Sequence, residues 1–186
     1  ITNTVNVFDP ATNTWSAKAN LLTKRESCGC VVFNGNIFVL GGYNGNHLTS
    51  VDKYDPNTDT WTEVGSLMEA RVSAAVLLGD NKIYCIGQGL NIFDPSTNES
   101  TQALAYINDA RIFFGTYIPV VTVCDGNLHV LGIGNSNALD PDHDRHLKYS
   151  HTTKTWTLET KMLKGKRNMK GAFFKNCLYI IGGEKF

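Results

Sequence analysis

An internal repeat is the feature that most constrains how this chain can fold. An aromatic residue stands seven positions before a tryptophan in three places, the pairs Phe8–Trp15, Tyr54–Trp61 and Tyr149–Trp156. A fourth copy keeps the spacing from Phe93 but has Ser100 at the tryptophan position. A repeat of this length indicates one supersecondary unit that is copied and stacked on its neighbours. The chain is therefore expected to be an array of similar units.

A second pattern alternates with the first. An apolar run ends at or near a glycine four times, at residues 37–42, 83–88, 128–133 and 178–183. An arginine precedes each run, namely Arg25, Arg71, Arg111 and Arg167. The arginines are 46, 40 and 56 residues apart, although the motifs themselves are short and fixed. Such variation belongs to loops between conserved elements of structure.

The repeated runs read as strands. They are short, rich in Val, Ile, Phe and Tyr, and bounded by turn residues. Asn34-Gly35 and Asp125-Gly126 join two apolar runs and predict tight hairpins. Each repeat thus predicts four antiparallel strands, with no sustained helical period. Runs such as 37–40 are apolar on both faces, so the sheets must stack face to face, as they do around the axis of a β-propeller.

Together these motifs resemble the kelch repeat, and the sequence of residues 54–61 is similar to the corresponding segment of BTB–kelch proteins. The resemblance implies an all-β kelch-type propeller across residues 1–186. We assign 1–17 to the second half of a blade, 18–64, 65–103 and 104–159 to whole blades, and 160–186 to the first half of another. The total is about four blades, which we expect to be an arc of a larger propeller. The alternative is a closed ring of four.

Composition excludes several classes of protein. Seventeen basic and seventeen acidic residues give a net charge of zero, so no nucleic-acid partner is expected. No run of eighteen apolar residues exists, so no membrane span is expected either. Five cysteines without a CxxC motif favour a reducing compartment. We therefore predict a cytoplasmic protein.

Residues that recur in every repeat are expected to define the fold. Glycines end strands where backbones approach closely, and the aromatic residues fill the space between blades. The positions to which we give this structural role are Gly41, Gly42, Tyr54, Trp61, Trp156, Gly182 and Gly183. The arginines have two possible roles, hydrogen bonding of neighbouring loops or contact with a ligand.

Function should lie in the loops. In kelch-like propellers the loops after the glycine-ending strand and before the arginine-led strand line one face. Mapped onto this chain, they give the candidate partner-binding residues Arg25, Ser27, Tyr43, Asn44, His47, Arg71, Ser73, Gln88, Arg111, Asn135 and Arg167. Arginine, amide and hydroxyl groups with an aromatic ring suit an acidic or polar peptide.

The sequence gives little sign of catalysis. Residues 137–146 contain three aspartates and two histidines, but their spacing fits neither an EF-hand nor HExxH, so a polar loop without metal is predicted. No nucleophile motif or phosphate-binding loop occurs, and His129 lies inside an apolar run as a core histidine would. We predict neither a cofactor nor an enzymatic activity.

Three functions follow from the resemblance. The first is a module that recognises a protein or peptide, as the substrate receptor of an adaptor for a cullin-based ubiquitin ligase. The cullin would be bound by BTB and BACK domains that these residues do not contain. The second is binding of actin, and the third is a sugar-processing enzyme of the kelch type.

An arc of a larger propeller would also leave its terminal blade faces uncovered, exposing residues such as Phe38 or Tyr179.

Overall fold

The computed structural model describes residues 1–70, 74–87, 89–103, 106–107, 110–111, 119–133, 144–166, 168–175 and 177–184. Every regular element within these ranges is a β-strand, which confirms the all-β prediction. No helix in the described part of the chain is long and apolar enough to cross a membrane.

Three antiparallel sheets have four strands each, in which strands consecutive in the chain are neighbours. The first blade contains β3 (Gly29–Phe33), β4 (Asn36–Leu40), β5 (Ser50–Asp55) and β6 (Thr60–Ser66). The second blade contains β7 (Ala74–Leu77), β8 (Ile83–Ile86), β9 (Leu90–Asp94) and β10 (Glu99–Ala103). The third blade contains β13 (Val120–Cys124), β14 (Asn127–Ile133), β15 (Arg145–Ser150) and β16 (Thr155–Leu158).

Three further sheets are two-stranded. They are the N-terminal hairpin of β1 (Val5–Asp9) and β2 (Thr14–Lys18), the pair β11 (Tyr106–Ile107) and β12 (Ala110–Arg111), and the C-terminal hairpin of β17 (Lys170–Phe174) and β18 (Cys177–Ile181). The sequence did not predict β11 and β12. Both lie between β10 and β13, where an extra hairpin lengthens the connection from the second blade to the third.

Arg111 consequently does not occupy the position that its spacing suggested. Arg25 lies four residues before β3, whereas Arg111 lies within β12, nine residues before β13 begins at Val120. The distance from the preceding tryptophan position does not identify the equivalent arginine in the third blade, because the hairpin of β11 and β12 intervenes. Arg111 is therefore not the equivalent of Arg25 in the third blade.

Apolar clusters between consecutive sheets hold the blades together. Phe38, Leu40 and Val51 of the first blade pack on the second-blade residues Ile83 and Phe93. A second cluster joins the other face of the second blade to the third, and a smaller one joins the third blade to the C-terminal hairpin. Each large apolar side chain buried in this way contributes about 1.5–3 kcal/mol. Stacking thus satisfies the two-sided apolar sheets that the sequence contains.

The expectation that an arc exposes Phe38 was wrong, whereas Tyr179 is exposed. Phe38 is buried because the second blade covers its face, and its ring centroid lies 6.3 Å from that of Phe93. Tyr179 lies in β18, on the face of the C-terminal hairpin directed away from the third blade, and is 49% exposed. The uncovered faces therefore belong to the two terminal hairpins and to β3 of the first blade, where Val32 is 64% exposed.

Candidate functional site: the loop surface of the first blade

The loop between β4 and β5 and the segment before β3 meet at one end of the first blade. The backbone N–H of Glu26 donates to the Tyr43 carbonyl at 3.0 Å, and that of Tyr43 donates to the Glu26 carbonyl at 2.9 Å. Gly42 makes this approach possible, because its φ is +101° and a Cβ there would lie 2.8 Å from the Glu26 oxygen. We call residues 24–28 and 41–49 the loop surface.

Arg25 lies beneath this surface, not on it. The residue is 5% exposed, and its guanidinium donates to the Gly41 carbonyl at 2.9 Å and to the Ser50 hydroxyl at 3.0 Å. A third contact joins it to the Asp52 carboxylate at 2.5 Å, with both side chains buried. Through these hydrogen bonds Arg25 joins the start of β5 to the end of β4. This placement favours the structural role for Arg25 over contact with a ligand.

The environment of Asp52 is electrostatically unusual. Burial raises the pKa of its carboxyl group, and the neighbouring Arg25 opposes that rise. Only Oδ2 of Asp52 contacts the guanidinium, while no hydrogen-bond partner is described for the buried Oδ1. Removal of Arg25 would thus leave a buried carboxylate without its compensating charge.

Tyr43 and His47 form the exposed part of the loop surface. Both side chains are exposed, and their ring centroids lie 5.0 Å apart at an interplanar angle of 52°. The backbones of the two residues form an antiparallel bridge, which closes the loop. The Leu48 N–H donates to the Gly42 carbonyl at 2.9 Å and fixes its base. The result is a pair of aromatic rings presented on an ordered turn.

Polar groups flank the two rings. Ser27 is exposed, with a left-handed φ of 52°, and Glu26 is exposed beside it. Asn44 is partly buried, and its Oδ1 accepts from the Asn46 N–H at 3.1 Å. Part of the hydrogen-bonding capacity of the Asn44 side chain therefore stabilises the loop itself. Four of the predicted site residues thus share one surface, namely Ser27, Tyr43, Asn44 and His47.

The remaining predicted site residues cannot be placed on this surface. Arg71, Ser73, Gln88, Asn135 and Arg167 lie outside the described residues, as does most of the polar loop at residues 137–146. The backbone of Arg111 belongs to β12. Their part in binding stays a prediction.

Asp52 and Asn91 are site residues that the sequence reasoning missed. Each lies two positions before the repeated aromatic residue, Tyr54 or Phe93, and each is fully buried. In the second blade the Asn91 Oδ1 accepts from the Glu69 N–H at 3.0 Å. A polar residue at a fixed offset inside an apolar strand was the signal that could have identified both, because such a residue requires a buried partner.

The repeated aromatic residues of the first and third blades pack in pairs, whereas Phe8 and Trp15 of the N-terminal hairpin are exposed. Tyr54 and Trp61 pack with centroids 5.0 Å apart, and Tyr149 and Trp156 with centroids 5.1 Å apart. The Trp61 indole N–H donates to the Ala19 carbonyl at 2.9 Å and so joins the first blade to the end of the N-terminal hairpin. Gly41, Gly182 and Gly183 all have positive φ, at the ends of β4 and β18.

The described residues contain no cluster of three or more histidine, cysteine or acidic side chains able to hold a metal ion. All five cysteines are free thiols. Burial raises the pKa of Cys28 and Cys30, which favours the protonated form of both thiols at neutral pH.

Comparison with known proteins is consistent with this architecture. The profile of the Kelch motif matches residues 24–68, which comprise the first blade and its loop surface. Kelch-like protein 23 of Mus musculus and of Homo sapiens is 41% identical over 49 residues, or 25% of this chain and 9% of that protein. Spermatocyte protein spe-26 of Caenorhabditis elegans is 48% identical over 40 residues, or 22% of this chain and 7% of that protein. The matches therefore span a small part of these relatives.

The solved structure of YjhT superposes with a TM-score of 0.73 at 16% identity. The superposition covers 93% of this chain and 64% of YjhT. At this identity the likeness concerns the fold alone.

The prediction that the chain is not an enzyme was wrong. It rested on the absence of familiar catalytic motifs, whereas this chain shares its fold with YjhT. A propeller supports binding and catalysis alike, so the fold gives no ground for excluding an activity.

Three stacked four-stranded sheets, the paired aromatic residues, the profile match and the superposition agree with one another. This chain has a β-propeller fold, and its residues 24–68 match the kelch motif.

Proposed function

We propose that the chain is a protein-interaction module that binds a partner through the loop surface of the first blade. The observation that supports this most directly is the exposed Tyr43–His47 pair. Aromatic side chains are common among the residues that dominate binding energy at protein interfaces. Here they project from a loop that its own backbone hydrogen bonds hold in place.

Order in the free state is the second support. A binding loop that is already ordered loses less conformational entropy when it binds. Three features restrain this one, which are the Glu26–Tyr43 backbone pairing, the Tyr43–His47 bridge and the buried Arg25 beneath Gly41. Arg25 thus contributes to binding by supporting the loop, and a partner would contact the residues above it.

The chemistry of this surface favours a polar segment of protein as the ligand. Two aromatic rings provide contact area, while the Ser27 hydroxyl and the Asn44 amide offer hydrogen bonds. The expectation of an acidic peptide depended on exposed arginines, and Arg25 is buried. With Glu26 exposed beside Tyr43, we propose a peptide that is neutral or weakly charged where it meets the first blade.

A narrower proposal concerns the whole protein. Similarity to kelch-like proteins supports a role as the substrate receptor of a cullin-based ubiquitin ligase adaptor, in which domains outside these residues would bind the cullin. Five free thiols are compatible with the reducing cytoplasm, which we keep as the proposed location. Actin binding is the alternative that the same class of propeller suggests.

The test is affinity purification of partners with the wild-type chain and with a Tyr43→Ala/His47→Ala variant, followed by mass spectrometry. Partners that bind the loop surface should be lost at least tenfold in the variant. Tyr179→Ala is the matched control, since it removes a tyrosine from a strand of the C-terminal hairpin and should retain them. Equal recovery by all three proteins would contradict the loop surface as the site. Actin as the main retained protein would favour the alternative.

A further inference from the structure

Two histidines form a hydrogen-bonded pair inside the third blade. His129 lies in β14 and His146 in the neighbouring strand β15, and both are half-buried. Their ring nitrogens, Nδ1 of His129 and Nε2 of His146, are 2.7 Å apart. The backbone of His146 also bonds the linker that follows β16, where its carbonyl accepts from the Glu159 N–H. His146 therefore contacts both a neighbouring strand and the linker.

The corresponding position is an apolar contact in the other blades. His129 stands two residues before Leu131, as Phe38 stands before Leu40 and Tyr84 before Ile86. Phe38 and Tyr84 pack on an aromatic residue of the next blade, at centroid distances of 6.3 and 5.8 Å. The third blade thus has a titratable pair where the first two have aromatic packing.

The groups around the pair carry nearly balanced charges. Lys148 of β15 and Glu159 of the linker form an ion pair of 2.6 Å, and both influence the two rings. Asp125, in the turn between β13 and β14, acts more weakly on His129. Asp144 and Lys161 form a second ion pair, of 3.1 Å, farther along the linker.

Within the described residues, the strands next to β14 and the C-terminal hairpin place no further charged side chain against the pair. Thr122 of β13 is the residue paired with His129, and the C-terminal hairpin faces the third blade through Leu178 and Ile180. Among the described residues, Glu159 is thus the nearest negative charge available to a protonated pair, and it is already bound to Lys148.

The pair can accept one proton more easily than two. When both rings are neutral, one N–H donates to the unprotonated nitrogen of the other ring. A single added proton preserves such a bond, with the imidazolium as donor. A second proton places an N–H on both facing nitrogens, so the hydrogen bond is lost and two positive charges lie side by side.

The linker beside His146 connects the third blade to the C-terminal hairpin. The Glu159 N–H donates to the His146 carbonyl at 2.9 Å, and the Met162 N–H donates to the Asp144 carbonyl at 2.8 Å. Met162 also packs against the apolar cluster in which Leu131 and Val120 hold the C-terminal hairpin. Movement of His146 would therefore act directly on the segment that holds this hairpin in place.

We propose that the His129–His146 pair is a proton-operated joint, which holds the linker and the C-terminal hairpin against the third blade when neutral and loosens them when doubly protonated. Burial lowers the pKa of both histidines, and the charge of His146 lowers that of His129 further. The native state thus binds fewer protons than the unfolded state in the region below the ordinary histidine pKa of about 6.5. Stability contributed by the pair is complete above that pH and decreases as the pH falls.

The experiment measures hydrogen exchange of the Glu159 and Met162 amides in the whole chain between about pH 7 and about pH 5, the range in which histidine titrates. Protection, corrected for intrinsic exchange, should fall by up to about tenfold per pH unit for each proton taken up on opening. In His129→Phe, which places at this position the aromatic residue of the first blade, protection should depend less steeply on pH, because only His146 remains to take up a proton.

His151→Gln is the matched control, because it removes a histidine from the turn between β15 and β16 and should retain the wild-type pH dependence. Unchanged protection in the wild-type chain across this range would overturn the proposal, as would the same fall in His129→Phe. Should His129→Phe fail to fold, nuclear magnetic resonance titration of the wild-type histidine rings decides. Two coupled titration steps below the ordinary histidine pKa would support the proposal. Independent titration of the two rings at that pKa would contradict it.

Discussion

At the scale of single residues, buried polar groups determine how the first blade and its loops are held. Arg25 appeared in the sequence as one of four repeated arginines, and its repetition left two roles open. Its contacts with Gly41, Ser50 and Asp52 give it the structural one. A residue that satisfies buried groups in this way is costly to remove, although a ligand never touches it.

Replacement of Arg25 by alanine should destabilise the chain by about 3–5 kcal/mol, because Asp52 would remain as an uncompensated buried charge. Urea unfolding followed by fluorescence measures this loss. Lys24→Ala, which removes an exposed neighbouring cation, should change stability by less than about 0.5 kcal/mol. Adding Asp52→Asn to Arg25→Ala should restore part of the loss. If Arg25→Ala changed the free energy of unfolding as little as Lys24→Ala does, the buried Arg25–Asp52 pair would contribute little to stability.

Tyr54 offers a second test at this scale. Its hydroxyl donates to the Asp59 carboxylate at 2.6 Å, and this bond is the main cause that raises the pKa of Tyr54 to about 12. Its contribution to stability is therefore complete below the unfolded tyrosine pKa of about 10 and is lost as the pH rises towards about 12. Absorbance titration of tyrosinate should show Tyr54 ionising late, together with Tyr84 and Tyr149, whose pKa burial also raises. In Asp59→Asn one of these late groups should titrate earlier, and an unchanged curve would exclude Asp59 as the cause.

At the scale of strands and turns, the sequence predicted most of what the structure contains. Asn34 and Gly35 have φ of 47° and 73°, and Asp125 and Gly126 have φ of 48° and 72°, as a type I′ hairpin requires. Such local rules work because a positive φ limits which residues can occupy a position. What they could not predict was β11 and β12, which are two residues long and carry no periodic pattern.

The candidate site was only partly predictable, for a related reason. Tyr43 and His47 were identified by their position after Gly42, since the chain must turn there. The role of Arg25 depends on Asp52, which is 27 residues away in sequence. The two side chains meet because the segment before β3 packs against β5, and no local sequence pattern indicates that packing.

The turn between β15 and β16 gives a prediction at this scale. The corresponding turns place Asn13, Asp59 and Asn98 in the left-handed region, whereas this turn places Lys154 there, with a φ of 57°. Asparagine tolerates this conformation better than lysine, whose strain is about 1–2 kcal/mol. Lys154→Asn should therefore raise stability by about 1 kcal/mol, seen as a higher melting temperature. Asn98→Lys, the reverse change in the second blade, should lower it, and equal melting temperatures for all three proteins would contradict this account.

At the scale of the whole molecule, the terminal hairpins present apolar faces that no other part of the described chain covers. Trp15 is 70% exposed although its ring packs on Phe8, with ring centroids 5.2 Å apart, while the equivalent Trp156 is 9% exposed. In the C-terminal hairpin, Tyr179 and Ile181 are exposed along β18, whose outer edge has no partner strand among the described residues. An open strand edge beside exposed apolar side chains is a surface that pairs with other chains.

We therefore expect the 186-residue chain to self-associate, since burial of these faces would remove apolar surface from water. Light scattering coupled to size-exclusion chromatography should give a mass above that of one chain, increasing with concentration. Trp15→Glu combined with Ile181→Lys places charges on both faces and should shift the chain towards the monomer. Leu163→Lys is the matched control, because that side chain is fully exposed in the linker and should leave association unchanged. A wild-type chain that remains monomeric at every concentration and unfolds in one cooperative step would instead favour hairpins that cover each other in a closed ring of four blades.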